Sequence, residues 1–269
     1  MKILHFSDIH TGGHFSTTSL FDKRLIGTLN YRLRRKHHVK WERLERAIEH
    51  IETEKPDFVI NTGDITSVSN KAEFDEALKR LHRLTENTNF TFLNVPGNHD
   101  YYIDNSELLN YRNKAYDTLN RGKFPLNEFP CRLRTENVDF WMVDESRPNN
   151  GTLSSGIFKS QDLTTLEQWT KEAGDKKVIL IGHYPLKDSL GQALKARRAL
   201  ENGELLYELL AKGKISINLC GHIHAAFCRK EQSGSLEICA GSLTIGGRMN
   251  KLEYNDSTNT FDHSWIELK

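Results

Sequence analysis

Phe90-Thr91-Phe92-Leu93-Asn94-Val95-Pro96-Gly97-Asn98-His99-Asp100 is the stretch on which the reading of this chain turns. An apolar run of strand length halts at Pro96, and Gly97 permits the backbone to turn. An amide, an imidazole and a carboxylate then follow in succession. Open α/β sheets place their sites at such strand ends. A single tetrapeptide of this kind says little, so its weight depends on repetition.

Working outward, the same pattern recurs. Ile3-Leu4-His5-Phe6 delivers Asp8 and His10, and Phe58-Val59-Ile60-Asn61 delivers Gly63 and Asp64. Val178-Ile179-Leu180-Ile181 leads to Gly182-His183-Tyr184-Pro185, and Ile215 to Leu219 leads to Gly221-His222-Ile223-His224. Helical stripes lie between these runs. Trp41, Leu44, Ala47, Ile48 and Ile51 form one, ended before Pro56. Asn70 with Glu73 reads as a capping box opening a helix through Phe74, Ala77, Leu78, Leu81 and Leu84. Further helices are expected over Ser106 to Leu119, near Leu163, Leu166 and Trp169, and around Leu205 to Leu210. Cys131 to Arg134 and Val138 to Val143 suggest an antiparallel pair, and Leu236 to Cys239 and Phe261 to Leu268 closing strands. The alternation predicts an α/β fold with polar ligands gathered at one end of its strands.

A hydrophobic share of 37% and a charged share of 27% suit a soluble globular protein, and no apolar run approaches the length of a bilayer span. The first residues start a strand directly and resemble no signal peptide, which favours the cytoplasm. Cys131, Cys220, Cys228 and Cys239 show no CxxC pairing and are expected to be buried, reduced thiols. The net charge of +1 conceals an asymmetry: residues 20–46 hold nine Lys/Arg against three acids, +6, which leaves −5 for the remainder. Within that segment Phe21, Leu25, Ile26, Leu29 and Leu33 follow helical spacing beside Arg32, Arg34, Arg35 and Lys36, a basic amphipathic insert at about 20–40.

Mixed oxygen and imidazole donors suit Mn, Fe, Zn, Co or Ni better than magnesium or calcium. Seven such donors exceed the need of one ion. They fit two ions about 3.5 to 4 Å apart sharing a carboxylate, an arrangement that clamps the attacking and leaving oxygens of a phosphoryl group. His5, His14, His37, His38, His50, His82 and His263 stand outside the pattern and read as structural, although His14, like Tyr184, lies beside ligands where substrate contact is open.

The blocks Asp-x-His, Gly-Asp, Gly-Asn-His-Asp, Gly-His and Gly-His-x-His, in that order from residue 8 to 224, resemble the calcineurin-like metallophosphoesterases. The resemblance implies one domain over residues 1–269, folded as a four-layer αββα sandwich of two mixed sheets flanked by helices. It implies two divalent transition-metal ions, manganese, iron or zinc. Asp8, His10 and His224 would bind one, Asn98, His183 and His222 the other, and Asp64 would bridge them. It further implies a metal-bridging hydroxide as nucleophile, His99 as stabiliser of the transition state or proton donor, and Asp100 orienting the His99 ring.

The catalytic blocks do not separate substrates. The basic insert is either a helix packed on the core or a flap on a membrane surface, with Phe21, Leu25, Ile26, Leu29 and Leu33 toward acyl chains and Arg32, Arg34 and Arg35 toward phosphates. The flap resembles the surroundings of UDP-diacylglucosamine hydrolases of lipid A synthesis, and the motif wording is equally similar to bacterial cyclic-nucleotide phosphodiesterases. A phosphodiesterase or pyrophosphatase, with a lipid-linked substrate and a place in the cytoplasm or at the inner membrane face, is the expectation. Cyclic nucleotides are the alternative. A nuclease is disfavoured by the few aromatics in the basic segment, and a non-catalytic scaffold by the complete ligand set. Oligomeric state is left open.

Overall fold

The computed structural model describes residues 1–12, 23–33, 35–150 and 153–269. Two mixed sheets form its centre. In the first, β1 (Lys2–Phe6), β2 (Phe58–Asn61) and β3 (Thr91–Asn94) run parallel, with Leu4 opposite Val59 and Val59 opposite Phe92. β12 (Arg248–Asn255) and β13 (Thr260–Glu267) extend that sheet antiparallel beyond β1, in the order β13-β12-β1-β2-β3. The second sheet runs β10-β11-β9-β7-β5-β4. It joins β4 (Cys131–Arg134), β5 (Val138–Met142), β7 (Lys177–Ile181), β9 (Ile217–Cys220), β10 (Phe227–Lys230) and β11 (Leu236–Cys239). The expected antiparallel pair is present, with Cys131 opposite Met142. Two short strands, β6 (Gly156–Ile157) and β8 (Leu200–Glu201), pair apart from both sheets.

Alternation along the strands decides the layers. Ile3, Phe58, Ile60 and Leu93 of the first sheet meet Val138, Phe140, Met142, Ile179, Ile181 and Leu219 of the second, forming the inner core. The intervening residues Leu4, Phe6, Val59 and Phe92 turn outward. There they pack on α2 (Trp41–Glu54), α3 (Lys71–Glu86) and α4 (Ser106–Leu119). Trp141, Val178 and Leu180 face α5 (Ser160–Ala173) and α6 (Gly203–Ala211) in the same way. Strands covered on both faces read as continuous apolar runs, which is why they stood out in the sequence. The result is the expected αββα sandwich.

Local signals set the element ends. Asn70 caps α3 by accepting from the Glu73 amide at 3.0 Å. Lys55, in a left-handed conformation, closes α2 by donating its amide to the Ile51 carbonyl, one residue before Pro56. The cysteines form no disulfide, and Cys220 and Cys239 are buried, but Cys228 is exposed because its side of β10 faces solvent.

The basic insert differs from an ordinary core helix. In α1 (Lys23–Leu33) the buried residues are Arg24, Thr28 and Tyr31. Gly27 shares their face, close enough that a Cβ there would lie 2.5 Å from Val68 and 2.8 Å from the Tyr102 hydroxyl. The apolar stripe points away: Ile26 is 67% exposed, Leu29 41% and Leu33 73%. Placing apolar residues toward the core is therefore the wrong orientation for this helix. Phe21 lies outside the described residues.

Candidate metal centre

Five strand ends converge at the carboxyl edge of the two sheets. β1 supplies Asp8 and His10, β2 Asp64, β3 Asn98 and His99, β7 His183, and β9 His222 and His224. Asp8, His10, Asp64, His222 and His224 all have positive φ, between 50° and 70°. Non-glycine residues adopt that region at a cost of about 1 kcal/mol or more, and such strain concentrates at sites. Neighbouring backbone must also approach closely. A Cβ on Gly97 would fall 2.2 Å from Asp64 Oδ1, and one on Gly221 2.3 Å from Asp8 Oδ2.

The donor atoms face one another. Asp8 Oδ1 lies 3.4 Å from His10 Nε2 and 3.2 Å from His224 Nε2, and the two imidazole nitrogens are 2.9 Å apart. Asp64 Oδ2 lies 3.8 Å from His10 Nε2 on one side and 3.4 Å from His183 Nε2 on the other. Asn98 Oδ1 is 3.3 Å from His183 Nε2 and 2.8 Å from His222 Nδ1. Donors about 3 to 3.5 Å apart are what an ion with bonds of about 2.1 Å leaves between its ligands. Asp64 lies between Asp8, His10 and His224 on one side and Asn98, His183 and His222 on the other.

Outer contacts fix the rings. His10 Nδ1 meets the Thr66 carbonyl at 3.1 Å, His183 Nδ1 the Thr62 carbonyl at 2.6 Å, and His222 Nε2 the Arg198 carbonyl at 3.1 Å. Each histidine thereby keeps its other nitrogen for the cluster. Asp8 Oδ1 and Asp64 Oδ2 are buried with no hydrogen-bond partner, a costly arrangement unless a cation sits between them. Asp8, His10, Asp64 and His224 are close enough together to hold an ion. The residues present fit a divalent cation.

The electrostatics agree. Burial alone would raise Asp8, yet the imidazoles facing it, His10 and His224 first and then His183, hold it well below the ordinary carboxylate range. Asp64 is likewise depressed, burial being outweighed chiefly by His183 and His99. Burial disfavours charge on His183, but Asp64 beside it pushes the ring up to about 10. His222 goes the other way, to about 3, through burial and the neighbouring His183. The carboxylates draw positive charge into the cluster.

His99 stands at the rim, its amide donating to Asp64 Oδ1 at 2.7 Å and its Nδ1 2.5 Å from the Ser67 carbonyl. Tyr102 stacks on its ring, 5.4 Å between centroids. The expectation that Asp100 orients this ring is corrected. Asp100 is fully buried and accepts from the amides of Gly97 and Thr66, the Thr66 hydroxyl and the Tyr116 hydroxyl. It pins the loops of β2 and β3 together, while the Ser67 carbonyl sets the ring. Tyr184 is corrected also. It is fully buried behind the ligands, its ring centroid 4.4 Å from that of His222, and its hydroxyl donates to the Ser154 carbonyl at 3.1 Å.

Above the cluster opens a cavity of about 420 Å³. Asn98, His99, His222 and His224 line its floor, Ile26, Gly27, Asn30 and Tyr31 of α1 one wall, and Leu153, Ser154, Arg197, Arg198 and Ile223 the other. Arg32, expected at substrate, lines a separate cavity with Lys36, Trp41 and Arg80, because it projects from another side of α1. His14 and Arg34 lie outside the described residues, as does the Arg35 side chain. Sequence reasoning missed Lys23, Tyr102, Ser154, Arg197 and Arg198. None belongs to a motif, and their only signal was proximity in sequence to motif residues or, for the arginines, their pairing.

The family model matching residues 1–226 is that of the calcineurin-like phosphoesterases. A probable glycerophosphodiester phosphodiesterase of Arcobacter nitrofigilis is 30% identical over 177 residues, 63% of this chain and 57% of the relative. The chain thus spans little more than half the length of that curated relative. Among solved structures, a dimetal phosphatase of Danio rerio superposes with a TM-score of 0.62 at 13% identity, covering 100% of this chain and 99% of the other. A purple acid phosphatase of yellow lupin also gives 0.62, at 12% identity, over 100% of this chain and 51% of its own. At these identities the structural likeness establishes the fold.

Proposed function

Given that this chain belongs to the calcineurin-like phosphoesterase family, we propose that it is a dinuclear-metal-dependent phosphodiesterase acting on an amphiphilic substrate presented at a membrane surface. The observation that carries the hydrolase reading is the pair of orphaned carboxylate oxygens, Asp8 Oδ1 and Asp64 Oδ2, facing imidazole nitrogens at 3.2 to 3.8 Å. Asp8, His10 and His224 would hold one ion, Asn98, His183 and His222 the other, with Asp64 shared. Bound there, two ions supply Lewis acidity toward the phosphoryl oxygens and activation of water at neutral pH. His99, its Nδ1 held on the Ser67 carbonyl, would pass a proton through Nε2 to the leaving oxygen. Asp100 keeps the loops carrying Asp64 and His99 in register.

The amphiphilic substrate is supported by α1. Ile26 lines the cavity and is also the first residue of the exposed stripe through Leu29 and Leu33, so apolar surface runs from the cavity mouth onto the outer face. Arg32, next to Leu33 in the chain, and Lys36 and Lys40 just beyond the helix are exposed, positive charge suited to anionic lipid. No described helix is long and apolar enough to cross a membrane, and the proposed contact is peripheral. The glycerophosphodiester activity named for the Arcobacter relative favours a diester with a glycerol arm. Cyclic nucleotide is the second reading, for which the cavity offers the aromatic lining of Tyr31 and Tyr102.

The test is a panel on manganese-loaded protein: bis(p-nitrophenyl) phosphate, p-nitrophenyl phosphate, cyclic AMP, a glycerophosphodiester and a lipid pyrophosphate. Diesters are expected to turn over fastest, and a clear preference for the monoester overturns the reading. Vesicles of phosphatidylglycerol are expected to sediment the protein, and the triple variant Ile26→Ser, Leu29→Ser, Leu33→Ser to stay in solution. Equal sedimentation of the two removes α1 as the contact.

A further inference from the structure

Between β7 and α6 the chain crosses the cavity mouth, and Arg197 and Arg198 come just before β8. Their backbone is fixed to the site. The Arg197 carbonyl accepts from the Ser154 amide at 2.9 Å, and the Arg198 carbonyl from His222 Nε2 at 3.1 Å. Both side chains are exposed and line the cavity. Neither forms an ion pair with a described residue. Other arginines of the fold are engaged: Arg112 with Asp144, Arg132 with Asp139, Arg147 with Glu201 and Arg229 with Glu237.

The cavity wall gives these two cations nothing to neutralise them, since no carboxylate lines it among the described residues. Lys23, the third cation there, donates to the Asn149 carbonyl at 3.0 Å and the Leu153 carbonyl at 3.2 Å, and sits 4.3 Å from the centre of the Tyr102 ring. It braces α1 against the opposite wall. A phosphodiester carries one negative charge, which the ions held at the Asp8–Asp64 cluster would take, and that leaves the arginine pair for the substrate arm that leaves the cavity. Adjacent guanidiniums are suited to the several oxygens of a phosphomonoester.

We propose that Arg197 and Arg198 bind a second phosphate on the substrate, so that the preferred diester bears a phosphomonoester on the arm projecting from the cavity. This rests on reading the site as a phosphodiesterase. Two exposed pairs, each worth about 0.7 kcal/mol, together give about a tenfold preference.

The test compares glycerophosphoglycerol with the same diester phosphorylated on its terminal hydroxyl, using manganese-loaded protein and following loss of the diester phosphorus signal by NMR after chelation of the metal, so that either leaving arm is counted. Wild type is expected to favour the phosphorylated diester about tenfold in kcat/KM, mainly through KM, less so as salt rises. Arg197→Ala/Arg198→Ala should abolish that ratio, and Arg197→Lys/Arg198→Lys should keep part of it. An unchanged ratio in the alanine variant overturns the proposal. Calorimetric binding of glycerol 3-phosphate and glycerol 1,3-bisphosphate asks the same question without turnover. If wild type hydrolyses neither diester yet loses its bisphosphate preference in the alanine variant, the arginine site stands and the phosphodiesterase reading falls. If the bisphosphate preference is the same in both proteins, the arginine site falls.

Discussion

Replacing Glu73 with glutamine probes how the catalytic loop is held. Glu73 is fully buried in the first turn of α3, where its Oε2 accepts the amides of Ser67 at 3.1 Å and Val68 at 2.8 Å. The Ser67 carbonyl, one peptide further on, holds His99 Nδ1. Burial pushes the Glu73 carboxyl up from 4.5 to about 8, against the opposing pull of those backbone donors. Because the folded value lies above the unfolded one, the folded state holds the proton more tightly. The stability this contributes is complete below pH 4.5 and is lost as pH rises through about 8. Each pH unit in that window removes about 1.4 kcal/mol, on the order of 4 to 5 kcal/mol in all. Glutamine keeps an acceptor for the two amides and cannot ionise. Urea unfolding of wild type and Glu73→Gln from pH 5 to 9 should therefore give curves that converge or cross, the variant gaining on wild type up to about pH 8 and not beyond. Other buried groups titrate in both proteins, so the difference isolates residue 73. Parallel curves would refute the reasoning.

Three further outcomes follow from the site. Asp64→Asn should lower bound manganese from two ions per chain to at most one by elemental analysis and shrink the fall in melting temperature that a chelator causes; unaltered stoichiometry removes Asp64 as the shared ligand. Gly97→Ala should cost about 1 to 3 kcal/mol and displace the Asp64 carboxylate, since its Cβ would lie 2.2 Å from Oδ1 and 2.7 Å from the Asp64 amide. Gly246→Ala, in open space, is the control and should differ from wild type by less than about 0.5 kcal/mol. Tyr116→Phe should destabilise by about 1.5 to 3 kcal/mol by removing the 2.7 Å bond to Asp100 Oδ2; a neutral result in chemical denaturation would mean that Asp100 does not need this donor to hold the loops.

What the sequence made legible, and what it did not, divides along a physical line. Strand-end ligands follow apolar runs within a few residues, so Asp8, Asp64, Asn98, His183 and His222 could be found from local pattern. Their convergence follows from the parallel order of β1, β2 and β3 and of β5, β7 and β9. Left-handed backbone at Asp8, His10, Asp64, His222 and His224 leaves no mark in composition, because Asp and His, although enriched there among non-glycine residues, occupy that region only in a small minority of their positions. The role of Asp100 was misread for a related reason. Adjacency to His99 suggested partnership, but neighbouring side chains on a turn diverge, and Asp100 is directed at Tyr116 and Thr66 while His99 meets a carbonyl from the β2 loop.

The helix α1 carries the deeper lesson. Periodicity identifies two faces of a helix, and the usual inference sends the apolar one inward. Here the inward face must wall a cavity whose floor is Asn98 and a cluster of histidines, and it does so with Thr28, Tyr31 and Gly27, small or polar residues of which Gly27 approaches Val68 and Tyr102 closely. Lys23 secures the same face to two carbonyls across the cavity. With that face fixed by the site, Ile26, Leu29 and Leu33 have nowhere to point except away from the protein. The exposed stripe is thus a consequence of walling a polar site with an amphipathic helix, and its being Ile and Leu rather than Lys and Glu is what supports the proposed contact with a membrane surface.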